Sequence, residues 1–157
     1  MSTVTTSCTA LMDAPPSAVY HLFADYRTSH PRILPKPYFS GLEIVSGGYG
    51  AGTVFRTTVT VMGVQTHYHM TVSEPVPGHI LVEEDTNLSV RTTFTVEPAA
   101  GGTQSRVTIA TTWLPKPGLL GWIERITTAA FMRKIYAAQF DLVREHVCAP
   151  SLRSSFA

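Results

Sequence analysis

Leu119–Val147 reads LLGWIERITTAAFMRKIYAAQFDLVREHV and follows a break at Pro115, Pro117 and Gly118. It contains no proline and a single glycine, Gly121. Leu120, Ile123, Thr127, Phe131, Ile135, Ala138 and Leu142 recur at three- and four-residue spacing, and Leu119, Trp122, Ile126, Ala129, Tyr136, Phe140 and Val147 lie beside them. The spacing predicts one helix of about eight turns. Its apolar surface is wide, so something must cover it on more than one side.

Upstream of the break the period changes from 3.6 to 2. Thr53–Met62 sets Phe55, Thr57, Val59 and Val61 against Val54, Arg56, Thr58 and Thr60. Gln65–Ser73 sets Tyr68, Met70 and Val72 against His67, His69 and Thr71. His79–Glu84, Val90–Glu97 and Gln104–Trp113 continue the pattern, the last with Val107, Ile109, Thr111 and Trp113 on one side. Alternation with one apolar face predicts antiparallel strands solvated on the other face. Glycine and proline clusters, Gly47-Gly48, Gly50-Ala51-Gly52, Pro75-Val76-Pro77-Gly78 and Gly101-Gly102, mark the turns. Thr3–Met12 and Gly41–Val45 add two more strands. Between those two, Pro16–Ala24 reads as a short amphipathic helix through Val19, Leu22 and Phe23, and Pro31, Pro35 and Pro37 limit Arg27–Tyr38 to a helical turn and a loop.

Strands followed by one long helix define an α+β chain. A sheet this large curls, and the helix is expected to close its concave side as a helix-grip, with a cavity between them. One domain over residues 1–149 and a flexible tail over 150–157 are expected.

Composition narrows the function. The 157 residues are 44% hydrophobic and 15% charged, with a formal net charge of +1 and no run of Lys or Arg. That excludes the electrostatic footprint of a nucleic-acid or anionic-membrane binder. The opening residues Met1–Ala10 have neither a basic start nor an apolar run, and no stretch is long enough to span a bilayer, so a cytoplasmic location is expected. Two cysteines far apart, Cys8 and Cys148, fit reduced thiols better than a disulfide framework.

The stretch Met12-Asp13-Ala14-Pro15-Pro16-Ser17-Ala18-Val19-Tyr20, with Ala24-Asp25-Tyr26 after it, resembles the opening of START/SRPBCC proteins. Gly48-Tyr49-Gly50-Ala51-Gly52-Thr53 resembles that superfamily's Gly-rich turn. Thr71-Val72-Ser73-Glu74-Pro75, Val96-Glu97-Pro98 and Gly101-Gly102-Thr103 fit its later turns. The resemblance covers Thr3–Val147 and is greatest to the polyketide cyclase/dehydrase and lipid-transport group. It implies a helix-grip fold and a hydrophobic ligand, and it does not imply a particular reaction.

The candidate ligand-binding residues are Phe55, Tyr68, Met70, Phe94 and Trp113 on the strands, facing Leu120, Ile123, Phe131 and Ile135 on the helix. Tyr68 and Trp113 carry polar handles that can orient a ligand. Glu83-Glu84-Asp85 is an acidic cluster at a strand end. By parity with Ile80 and Val82, Glu84 is the expected inward carboxylate and, with Tyr68, the candidate catalytic residue. His67 and His69 share a polar strand face and lack a third ligand at a defined spacing, so no metal is expected there. His30–Pro35 is expected at the cavity mouth, as a connector or a gate. No phosphate loop, nucleophile elbow or dinucleotide fingerprint occurs, and no cofactor is expected. Three functions remain open: a non-catalytic binder of a lipid-, polyketide- or aromatic-like molecule, an acid/base enzyme acting on one, and a homodimerisation or partner-binding module built on the last helix.

Overall fold

The computed structural model describes residues 2–147, so Cys148 and the tail expected over 150–157 lie outside the described residues. The strands are β1 (Val4–Met12), β2 (Phe39–Ser46), β3 (Val54–Val61), β4 (Val64–Val76), β5 (Ile80–Asp85), β6 (Val90–Ala99) and β7 (Gln104–Trp113). They form one antiparallel sheet in the order β1-β7-β6-β5-β4-β3-β2. Every neighbour is the next strand in sequence except β1, which returns beside β7, with Val4 opposite Trp113 and Met12 opposite Ser105. Between β1 and β2 lie α1 (Pro16–Ala24), which has proline in its first turn, and a 3-10 turn, His30–Ile33.

The predicted long helix is one unbroken element, α2 (Gly118–Val147). Its 30 residues run about 45 Å at 1.5 Å per residue. Only its second half is clamped: Ile135, Tyr136, Gln139, Phe140, Val143 and Val147 are buried. Tyr136, Phe140, Val143 and Val147 meet Val19 and Phe23 of α1, Ile33 of the 3-10 turn, and Leu81, Phe94, Val96, Val107 and Ile109 of the sheet in one apolar cluster. The first half leaves Leu119, Leu120, Trp122, Ile123 and Ile126 exposed. Gly121 is the exception there. A Cβ on it would lie 1.5 Å from the Lys116 carbonyl oxygen, so only glycine lets the Pro115–Gly118 turn lie against the helix.

The solvent side of the sheet is threonine-rich, and the threonines pair across strands. Thr5 and Thr112 share a hydroxyl hydrogen bond of 2.8 Å, and Thr9 and Thr108 one of 2.9 Å. These pairs tie β1 to β7 side chain to side chain, as opposite charges do between Glu84 and Arg91 of β5 and β6. No helix among the described residues is long and apolar enough to cross a membrane.

Candidate functional site: an apolar cavity with a buried carboxylate

The inner faces of β3, β4, β6 and β7 do not meet α2 everywhere. A cavity of about 160 Å³ remains between them. Its walls are Phe55, Thr57, Val59 and Val61 of β3, Tyr68 and Met70 of β4, Val90, Thr92 and Phe94 of β6, and Ile109 and Thr111 of β7. Thr128, Met132, Ile135, Tyr136 and Gln139 of α2 close it, with Leu34 and Phe39 at the side. An apolar cavity of about 150 Å³ holds a benzene-sized guest, so the space suits one aromatic ring or its equivalent.

Phe55, Tyr68, Met70, Phe94 and Ile135 therefore stand on the cavity wall. The other four candidates do not. Leu120 is 73% exposed and Ile123 46% exposed, because the first half of α2 carries the apolar stripe past the part of the helix that is clamped. Phe131 is half-buried and packs edge-on against Tyr38 at 5.4 Å between ring centroids. Trp113 ends β7 opposite Val4 and Val90, buried but off the wall. Its indole Nε1 has no hydrogen-bond partner among the described residues. Trp122 is exposed whereas Tyr136 is buried, so the two do not share one surface stripe.

The inward carboxylate is Glu83, not Glu84. Glu83 lies opposite Val72 of β4 and Thr92 of β6, both on the inner parity of their strands. Glu84 turns outward and pairs with Arg91 at 3.1 Å. The parity reading failed because β5 is short and apolar on both faces: Leu81 and Val82 are both buried. Asp85, also buried, accepts the backbone N–H groups of His69, Asn87 and Leu88 and serves the turn.

Glu83 is 7% exposed and is held by two residues outside the sheet. The Tyr26 hydroxyl donates to Glu83 Oε1 at 2.7 Å, and His30 Nε2 lies 3.4 Å from the same oxygen. His30 is 1% exposed and sits on the cavity's inner side, not at its mouth. Its ring stacks on Tyr26 at 4.4 Å. Nδ1 lies 2.7 Å from the Phe23 carbonyl oxygen, so Nδ1 carries the proton and donates. Burial pushes the Glu83 carboxyl up to about 7, against the weaker lowering effect of the Tyr26 hydrogen bond. Burial holds His30 down to about 4. The Tyr26 hydroxyl is raised well above its ordinary value, first by burial and then by Glu83. Further along the wall the Tyr136 hydroxyl donates to Thr111, which shares a 2.8 Å hydrogen bond with Thr92, the residue opposite Glu83.

The Gly-rich turn predicted after β2 positions Tyr26. Gly48 accepts the Tyr26 N–H at 3.0 Å and Gly50 donates to the Ala24 carbonyl at 2.9 Å. Gly50 has φ +57°, and a Cβ there would lie 2.5 Å from Glu74 Oε2. Glu74 in turn accepts the Ala51 N–H at 2.9 Å and the Tyr20 hydroxyl at 2.6 Å. The turn thus ties the end of α1 to β4. His67 and His69 are exposed on the outer face, where His67 Nδ1 meets Thr58 Oγ1 at 2.9 Å.

A sheet closed by one long helix over an apolar cavity defines a helix-grip protein of the START/SRPBCC kind. The chain belongs to the family described as polyketide cyclase / dehydrase and lipid transport, whose family model matches residues 1–147. It is similar to the KanY protein, known from an NMR solution structure, with 33% identity over 95% of this chain and 100% of that one, at a TM-score of 0.81. The fold is shared with the ZhuI aromatase/cyclase from Streptomyces sp. R1128, at 15% identity and TM-score 0.74 over 96% and 98% of the two chains. A START superfamily protein from Mycobacterium smegmatis shares it at 14% identity and TM-score 0.68 over 91% and 96%. No protein of curated function matches the sequence.

Proposed function

We propose that the protein binds a small hydrophobic molecule, aromatic or polyketide-like, between the sheet and α2. The observation that carries this reading is the cavity itself. Around it Phe23, Leu81, Val96, Val107, Ile109 and Val143 are fully buried, yet the space bounded by Phe55, Met70, Phe94, Met132 and Ile135 stays unfilled. Leaving an apolar void forgoes roughly 24 cal/mol of stability per Å³, a cost that a bound apolar guest recovers. The volume favours a one-ring molecule or a narrow part of a longer one. The family description, polyketide cyclase / dehydrase and lipid transport, supports a polyketide-derived or other hydrophobic occupant.

Native mass spectrometry of protein purified from its own host tests this. The expected result is a retained apolar mass that is lost in Met132→Trp, where the indole occupies the space. Retention of the same mass by that variant contradicts the placement of the ligand.

A second reading, in which the bound molecule is also transformed by acid/base chemistry, is favoured by one observation. Glu83 is an inward carboxylate with partners in a cavity that is otherwise mostly apolar.

A further inference from the structure

We propose that Glu83 is a general base that removes and returns a proton at the carbon next to the carbonyl of a cavity-bound aromatic ketone, with His30 as the residue that positions and tunes it. The proposal rests on the reading of the cavity as a ligand site.

Both of Glu83's partners fall on Oε1: the Tyr26 hydroxyl at 2.7 Å and His30 Nε2 at 3.4 Å. Glu83 also lines the cavity, and Oε2 has no partner among the described residues. One oxygen is thus fixed from behind and the other is left for a ligand. Because His30 Nδ1 is committed to the Phe23 carbonyl, Nε2 of the neutral ring turns a lone pair toward Oε1. A lone pair against a carboxylate is unfavourable, and against a protonated carboxyl it is favourable. Burial keeps the proton on Glu83 near neutrality, the protonation of His30 is itself suppressed by burial, and the neutral ring beside Oε1 favours the same protonated carboxyl. A carboxyl poised near the working pH is present as base and as conjugate acid together, which proton abstraction and return both require.

Among the described residues no Lys or Arg lines the cavity to offset this. The titratable groups facing Glu83 are Tyr26 and His30 from the segment after α1 and Tyr136 from α2. Its strand neighbour Asp85 is spent on three backbone N–H groups. The donor for the opposite end of the reaction is Gln139. It is 3% exposed, lines the same cavity, and none of the side-chain hydrogen bonds among the described residues uses its amide.

The step balances without a co-reactant. Glu83 Oε2 takes the α-proton, the C–H pair becomes the C=C bond of an enolate, and the carbonyl π pair moves onto oxygen, where the Gln139 amide donates to it. Reversal restores the ketone and the carboxylate. In D2O the carboxyl proton exchanges with solvent, so the ketone returns deuterated at the α-carbon.

The test incubates the protein with acetophenone in D2O and follows loss of the methyl signal by NMR. Binding is measured separately, by displacement of an apolar fluorophore. The expected exchange runs at least about tenfold above buffer and rises with pH to a plateau, with a midpoint near that of Glu83. Glu83→Gln should bind acetophenone within about threefold of the parent and exchange at the buffer rate. His30→Gln, whose amide nitrogen reaches the Nε2 position and puts a donor where the lone pair was, should move the midpoint of the pH profile down, a shift that a purely structural role would not produce. Acetophenone that binds without Glu83-dependent exchange, or that fails to displace a bound fluorophore, overturns the proposal and leaves the ligand site standing. Failure of both probes to bind overturns the proposal and the ligand site together.

Discussion

Glu83 and His30 pull stability in opposite directions as pH changes. Glu83 binds its proton more tightly folded, at about 7, than at its ordinary 4.5. Its unfolded form ionises first, so its contribution is complete below pH 4.5 and is lost as pH rises toward 7. His30 behaves in reverse. It stays neutral when folded down to about 4, against 6.5 ordinarily, so its contribution is complete above 6.5 and is lost as pH falls toward 4. Each slope is at most about 1.4 kcal/mol per pH unit, and over the shared window the two largely cancel. The parent protein should therefore show a flat profile in urea unfolding between these limits. Glu83→Gln should lose stability on acidification and His30→Asn on alkalisation. Slopes of the same sign in the two variants would contradict the protonation states assigned here.

The position of this pair was only partly legible in the sequence. His30 was visible in a proline-rich segment, but nothing local distinguishes a histidine at a cavity mouth from one beneath the cavity. That depends on the Gly48–Gly52 turn, which draws the end of α1 against β4. Glu83 was missed because β5 offers Leu81 and Val82 as rival inward parities, and the choice is made by its partners Val72 and Thr92 in other strands. Where one parity was clearly apolar, as in β3, β4 and β6, the inner faces were read correctly down to Phe55, Tyr68, Met70 and Phe94.

At the scale of the element, α2 divides in two. The 3.6-residue period ran through both halves of the sequence, and it predicted the helix correctly, but periodicity does not say how far the covering surface extends. Ile123 and Phe140 both belong to the apolar pattern, yet Ile123 is half in solvent and Phe140 is buried against the sheet. Phe140→Ala should cost about 3–5 kcal/mol, and Ile123→Ala less than about 1 kcal/mol. Similar losses from both, measured by chemical denaturation, would mean that the first half is packed as tightly as the second. Gly121 supplies a second test. Gly→Ala inside a helix ordinarily gains up to about 1 kcal/mol. Here the added methyl meets the Lys116 backbone, so the turn must shift and Gly121→Ala should destabilise. A gain in stability would contradict that close approach.

For the whole molecule, the change of period after Pro117 was enough to predict an antiparallel sheet and a single closing helix, and both are present. The sequence did not show whether the grip is filled. Filling depends on side-chain volumes summed over six strands and a helix, and no local pattern encodes that sum. Titration of the folded protein with an apolar, environment-sensitive fluorophore, alongside Met132→Trp, tests the central claim most directly. The account predicts saturable binding at one site in the parent, and loss of that binding in Met132→Trp with little change in stability, because the indole enters empty space instead of displacing neighbours. No binding to the parent, together with destabilisation of Met132→Trp by the 1–3 kcal/mol or so expected of an overpacked core, would show that the grip is closed and holds no ligand.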